Sequence, residues 1–209
     1  MPAFLPDLSA SRRLAAHAAI GIAALALACA SANGATVRAV EYYHTGYQHY
    51  FVTADPVEIA ALDGGLVPDL YRTGLRYFVD DAPEVGRKPI CRFLTAAFGL
   101  PTHFFTGGES ECAALKTNPD WTYEGIAFYA PLPDASGECP TDTAAIQRFF
   151  NNGHDGAPSH AYTPNPRKAA LLAGAGWASE GTAFCVPLAS GNAEEKLMKL
   201  AGSTWKVPL

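Results

Sequence analysis

The sequence predicts a β-rich α+β fold of three tandem strand–strand–helix–strand units with pseudo-threefold organisation. Three observations lead there. A string of His, aromatics and Thr occurs three times, ending at Thr53, Thr106 and Thr163, at intervals of 53 and 57 residues. A Leu follows each Thr at one fixed offset, as Leu62, Leu115 and Leu172. A closing string then recurs at Trp121–Phe128 and Trp177–Phe184, with a degenerate counterpart at Leu70–Tyr77. Repeats of this length decide the whole architecture.

Residues 1–32 read as an export signal. Arg12 and Arg13 precede an uncharged run from Leu14 to Ala32 that ends in small-residue cleavage sites such as Ala26-Leu27-Ala28. The run is Ala-rich and marginal in length for a membrane span. Its cleavage leaves a secreted or periplasmic chain without a span.

The three-repeat domain is expected over 37–188, with units at about 38–80, 89–131 and 144–188. Each unit opens on a strand with alternating apolar and polar residues: Val40–Tyr43, Ile90–Phe93 and Ile146–Phe149. Aromatic-rich second strands follow at His49–Thr53, His103–Thr106 and His160–Thr163. The constant Thr-to-Leu spacing predicts a short helix opened by a Thr cap, and the Glu-Gly-x-Ala-Phe string a last strand. The Pro/Gly-rich stretches Asp80–Pro89 and Pro131–Pro140 are the expected joints. One such unit cannot bury its own apolar face, so the three should share a core. A propeller is disfavoured by the helix in each unit and by the need for at least four blades. Residues 189–209 form a tail whose amphipathic stretch Ala193–Leu200 carries no readable role.

Composition narrows the partners. The 209-residue chain is 49% apolar and 17% charged, which supports a core and opposes disorder. A net charge of −5 offers no electrostatic footprint for nucleic acid. Once Cys29 leaves with the signal, Cys91, Cys112, Cys139 and Cys185 remain. In an oxidising compartment these form two disulfides, with three connectivities open. None is spaced Cys-x-x-Cys, which opposes a zinc ribbon or redox pair.

At Val40–Pro187 the strings together resemble the secreted bacterial and fungal repeat family known as domain of unknown function 5648. The resemblance implies export, three tandem units and frequent attachment to secreted hydrolases; no activity is assigned to the family. This chain departs from the pattern at Thr73, which stands at the Glu position, and at Ala161, which interrupts the aromatics.

Comparing the units assigns the charged residues. Arg92 accompanies Glu124 and Arg148 accompanies Glu180, whereas the first unit has Tyr42 and Thr73 at those places. Partners that vanish together behave as a structural ion pair, because one charge alone would be stranded. The same comparison favours disulfides Cys91–Cys112 and Cys139–Cys185, since the first unit lacks cysteines altogether.

His49, His103 and His160 could converge on a metal, three imidazoles being a known zinc set. The plainer reading gives each a local hydrogen bond, and no metal or cofactor is assigned. Tyr43, Tyr47, Trp121 and Trp177, with the three His, are the candidate ligand-binding residues, because polar-tipped rings stack on sugars. No nucleophile elbow, His-Glu-x-x-His or phosphate loop is present, and no catalytic residue is assigned. The expectation is a secreted non-catalytic domain binding an extracellular or cell-surface ligand, with glycan a candidate. The alternatives are an extracellular glycosidase-like hydrolase using carboxylates or His between units, and a purely structural module.

Overall fold

The computed structural model describes residues 34–153 and 158–188. The expected signal peptide and C-terminal tail lie outside them. β1 (Thr36–His44), β2 (His49–Thr53), α1 (Pro56–Asp63) and β3 (Leu70–Asp80) come first. They are followed by β4 (Lys88–Thr95), β5 (Thr102–Thr106), α2 (Glu109–Thr117) and β6 (Thr122–Ala130). β7 (Thr143–Phe150), β8 (His160–Thr163), α3 (Pro166–Gly174) and β9 (Ala178–Pro187) complete the order. The fold is α+β and β-rich. Its strands form two antiparallel sheets, ordered β2-β1-β3-β6-β4-β5 and β8-β7-β9. In each run of four elements the first strand is central, flanked by the second and the third. The larger sheet is continuous because β3 meets β6 at Asp80 and Tyr129.

The helix starts correct one expectation. Thr53, Thr106 and Thr163 end strands and do not cap helices. Each Thr Oγ1 accepts the backbone N–H two residues on, of Asp55, Gly108 and Asn165, at 3.0 Å. That bond turns the chain so the following residue can be the cap. Asp55 and Asn165 then accept the first free amides of α1 and α3, while Gly108 caps α2 without a side chain. Pro56 and Pro166, at the first helical position, have no N–H to leave unpaired.

The third strands each carry a glycine that no other residue replaces cheaply. Gly74, Gly125 and Gly181 have φ of 89°, 115° and 84°. They sit where the pairing to the central strand shifts register, and this bulge twists the strand. The main core cluster draws on the same four positions in every run. Ala39, Ile90 and Ile146 come from central strands, and Val52, Phe105 and Tyr162 from second strands. Tyr77, Phe128 and Phe184, with Val79, Ala130 and Val186, come from third strands. The second strands β2, β5 and β8 touch one another. Between two of them the Tyr162 hydroxyl accepts the Phe105 N–H and donates to its carbonyl, both at 2.9 Å.

Candidate functional site

The charged residues are built into junctions between successive runs. Arg92, central in β4, meets Glu124 of β6 at 2.9 Å. The rest of its guanidinium fork reaches back to the first run and holds Glu58 of α1 through two bonds of 2.8 Å. Arg148 of β7 repeats this, meeting Glu180 of β9 at 2.8 Å and Glu111 of α2 at 3.0 and 3.3 Å. Planar, bidentate recognition of a carboxylate is what distinguishes Arg from Lys here. Each guanidinium also lies over a ring of the preceding run, Phe51 or Phe104. Sequence comparison had paired each Arg within its own unit; the second carboxylate, from the neighbouring helix, was missed. Glu58 and Glu111 both stand five residues after the strand-ending Thr, and that shared offset was the available signal.

Register corrects the alignment of the first run. Glu41 faces Val52, one residue before Thr53, just as Arg92 faces Phe105 and Arg148 faces Tyr162. The counterpart of the two Arg is therefore Glu41, not Tyr42. Tyr42 is buried and donates its hydroxyl to Asp63 of α1. Glu41 is fully buried, accepts the Thr73 hydroxyl at 2.7 Å and pairs with Lys168 of α3 at 2.5 Å. Lys168 again stands five residues after its Thr. Burial pushes its ammonium pKa down, against the pull of Glu41.

The three His are not equivalent. His103 and His160 place Nε2 3.3 Å from Glu124 and Glu180. His49 lies one residue further from its Thr, and its Nδ1 is 2.9 Å from the Pro101 carbonyl oxygen. Tyr50 takes the corresponding position in the first run, facing Tyr43 as His103 faces Leu94. Among the described residues no group of three or more His, Cys, Asp or Glu is placed to hold a metal. Hydrogen bonds from His103 and His160, with the nearby Arg, hold the Glu124 and Glu180 carboxyls below their usual range. Glu58 is also held low: Arg92 and Thr53 outweigh the opposing effect of burial. A cavity of about 220 Å³ opens beside Glu111, Arg148 and Glu180. Glu180, shifted down, stays ionised and cannot be the protonated acid that a glycosidase needs beside its ionised carboxylate.

The candidate binding rings divide. Trp121 packs on Phe104 beside the disulfide Cys91–Cys112, so it supports the fold. The second disulfide, Cys139–Cys185, ties the segment before β7 to β9. Trp177 meets Tyr50 edge-on, and Tyr50 meets Tyr43 at 4.8 Å between centroids. Tyr43 stands directly opposite Tyr71 of β3, which is 60% exposed. Opposite residues share a face, so half-buried Trp177, buried Tyr50, half-buried Tyr43 and exposed Tyr71 form one row. Tyr71 was missed in the sequence because its string is the degenerate one. Tyr47 lies apart on the β1–β2 turn, stacked on His44 at 3.8 Å.

The family comparison covers part of this architecture. A family model described as domain of unknown function (DUF5648) matches residues 19–131. It begins and ends earlier than the resemblance at Val40–Pro187 and stops before β7. No curated protein and no solved structure matches the chain. The matched stretch is more than half of the sequence and takes in β1 to β6 with α1 and α2, so the chain belongs to the family described as domain of unknown function DUF5648.

Proposed function

We propose that the chain is an exported, non-catalytic binding domain made of three copies, 38–80, 89–131 and 144–188, arranged with pseudo-threefold organisation. Its ligand is extracellular or on a cell surface, with glycan the favoured class. The repeated element order, the four core positions filled once per run and the bulge glycine in each third strand support the three copies. Two disulfides suit an oxidising compartment, and among the described residues no helix is long and apolar enough to cross a membrane.

One observation carries the binding reading. Arg92, Arg148, Glu124 and Glu180 are spent on ion pairs, whereas Tyr71, opposite half-buried Tyr43 at the end of the aromatic row, is left facing solvent. Phenol-bearing rings join an apolar face to a hydrogen-bonding tip, which suits a pyranose ring better than a fully apolar ligand. The test is a glycan array on the exported chain, repeated with Tyr71→Ala and Tyr43→Ala. Selective binding weakened about tenfold by Tyr71→Ala, at unchanged thermal stability, supports the reading. Turnover of a glycan abolished by Glu180→Gln or Glu124→Gln would replace it with the hydrolase.

A further inference from the structure

The three junctions are built alike, but the one between the last copy and the first has its charges exchanged. At the other two a strand Arg receives a helix Glu, as Arg92 with Glu58 and Arg148 with Glu111. At the third a strand Glu, Glu41, receives a helix Lys, Lys168. Packing is exchanged as well. Phe51 packs on His103 and Phe104 on His160, whereas the corresponding third junction sets small Ala161 in one cluster with large Tyr50. The Lys168 ammonium lies 3.9 Å above the Tyr50 ring.

We infer that this reversed junction is a key: it makes the first copy accept a third copy and refuse a second one, and so fixes which copies meet where the ring of three closes. The inference rests on the three-copy reading and goes beyond it. Its basis is chain connectivity. Arg92 and Glu58 are 34 residues apart and Arg148 and Glu111 are 37, so short links deliver those partners to each other. Glu41 and Lys168 are 127 apart. There the link favours the correct partner least, and a foreign copy competes best.

The reversal answers that competition. A helix bearing Glu58 or Glu111 docked at Glu41 would place two carboxylates in a site with no solvent exposure. A helix bearing Lys168 docked at Arg92 or Arg148 would oppose two cations. Rejection of wrong partners by like charge is how paired surfaces are kept specific. The partner excluded is the wrong unit of a second copy of this chain, its Glu58 or Glu111 helix at Glu41 or its Lys168 helix at Arg92 or Arg148; only a third unit still fits the first.

The test uses complementary single variants of the full chain, Glu41→Arg and Lys168→Glu. Alone, each puts like charges at the closing junction and lowers the thermal midpoint by about 10 °C. Refolded together in equimolar amounts, they can satisfy both junctions by exchange, Arg at 41 of one chain against Glu at 168 of the other, and Lys168 against Glu41. Light scattering after co-refolding should find a dimer of about twice the monomer mass that contains both variants and neither variant forms alone. Destabilised variants that give no mixed dimer overturn the key and leave the three-copy reading standing. A Glu41→Arg chain as stable as the parent overturns the equivalence of the junctions themselves. Neither result touches glycan binding, which is read separately.

Discussion

Replacing Arg148 by Met removes a charge that two carboxylates share and keeps most of the stem's volume. The Arg148 side chain is 14% exposed, against 40% for Glu111 and 31% for Glu180. Breaking a buried ion pair costs about 3–5 kcal/mol when the stranded partner stays dry. Here both carboxylates can recover part of their hydration, which cuts that loss to about 2 kcal/mol. The guanidinium also leaves the Phe104 ring, over which it sits at 4.8 Å, for about 1 kcal/mol more. The sum, about 3 kcal/mol, corresponds to a fall in midpoint of about 10 °C for a chain of this size. Glu111→Gln should cost less than about 1 kcal/mol, because its exposed carboxylate gains little from the pair. Differential scanning calorimetry of the two variants beside the parent measures both shifts. Equal losses, or an Arg148→Met loss under about 2 °C, would refute the view that the strand Arg is the keystone of its junction.

Acid should loosen the same junctions. Glu58, Glu124 and Glu180 are held below their ordinary values in the folded chain, so the stability they contribute is present above the unfolded carboxylate range near pH 4.3 and is lost as pH falls through the folded values. Urea midpoints from pH 7 to 3 should stay level and then drop below about pH 4.5; a drop centred near neutrality contradicts this. Replacing Cys91 and Cys112 by Ser opens a 21-residue separation and should cost about 3 kcal/mol, and Cys139 with Cys185, 46 apart, about 4 kcal/mol. Chemical denaturation ranks the two, and the reverse order counts against loop length as the cause. Gly125→Ala meets no atom within 4 Å yet sits at φ 115°, so its predicted loss of about 1–3 kcal/mol, read as a thermal shift, is backbone strain alone. An unshifted midpoint would mean that the bulge relaxes.

The strings of the sequence carry the elements well, because strand alternation and a fixed Thr-to-Leu offset are local signals. The helix starts were misread by two residues because a Thr that turns the chain and a Thr that caps a helix look the same in one dimension. In the first run the His was matched by letter, setting His49 against His103, and the opening strand from its start, Val40 against Ile90, setting Tyr42 against Arg92. The hairpin loops differ in length, and a slip of one residue moves every side chain to the other face of a strand. Counting back three residues from each Thr pairs Tyr50 with His103, and crossing the ladder from the residue before the Thr pairs Glu41 with Arg92. The helix carboxylates Glu58 and Glu111 were out of reach for another reason. Their partners lie in a different run, and no pattern within one run states which neighbour a helix will face.

The meeting of β2, β5 and β8 has a consequence for solubility. These strands border their sheets, and a sheet border is where foreign chains add on and fibres start. All three borders point at one another, and the Tyr162 hydroxyl occupies the Phe105 amide and carbonyl that an intruding strand would need. On the far side of the smaller sheet, the Cys185 amide is already taken by the Pro131 carbonyl. A chain this rich in β-structure therefore resists pairing with other chains by turning its stickiest backbone inward.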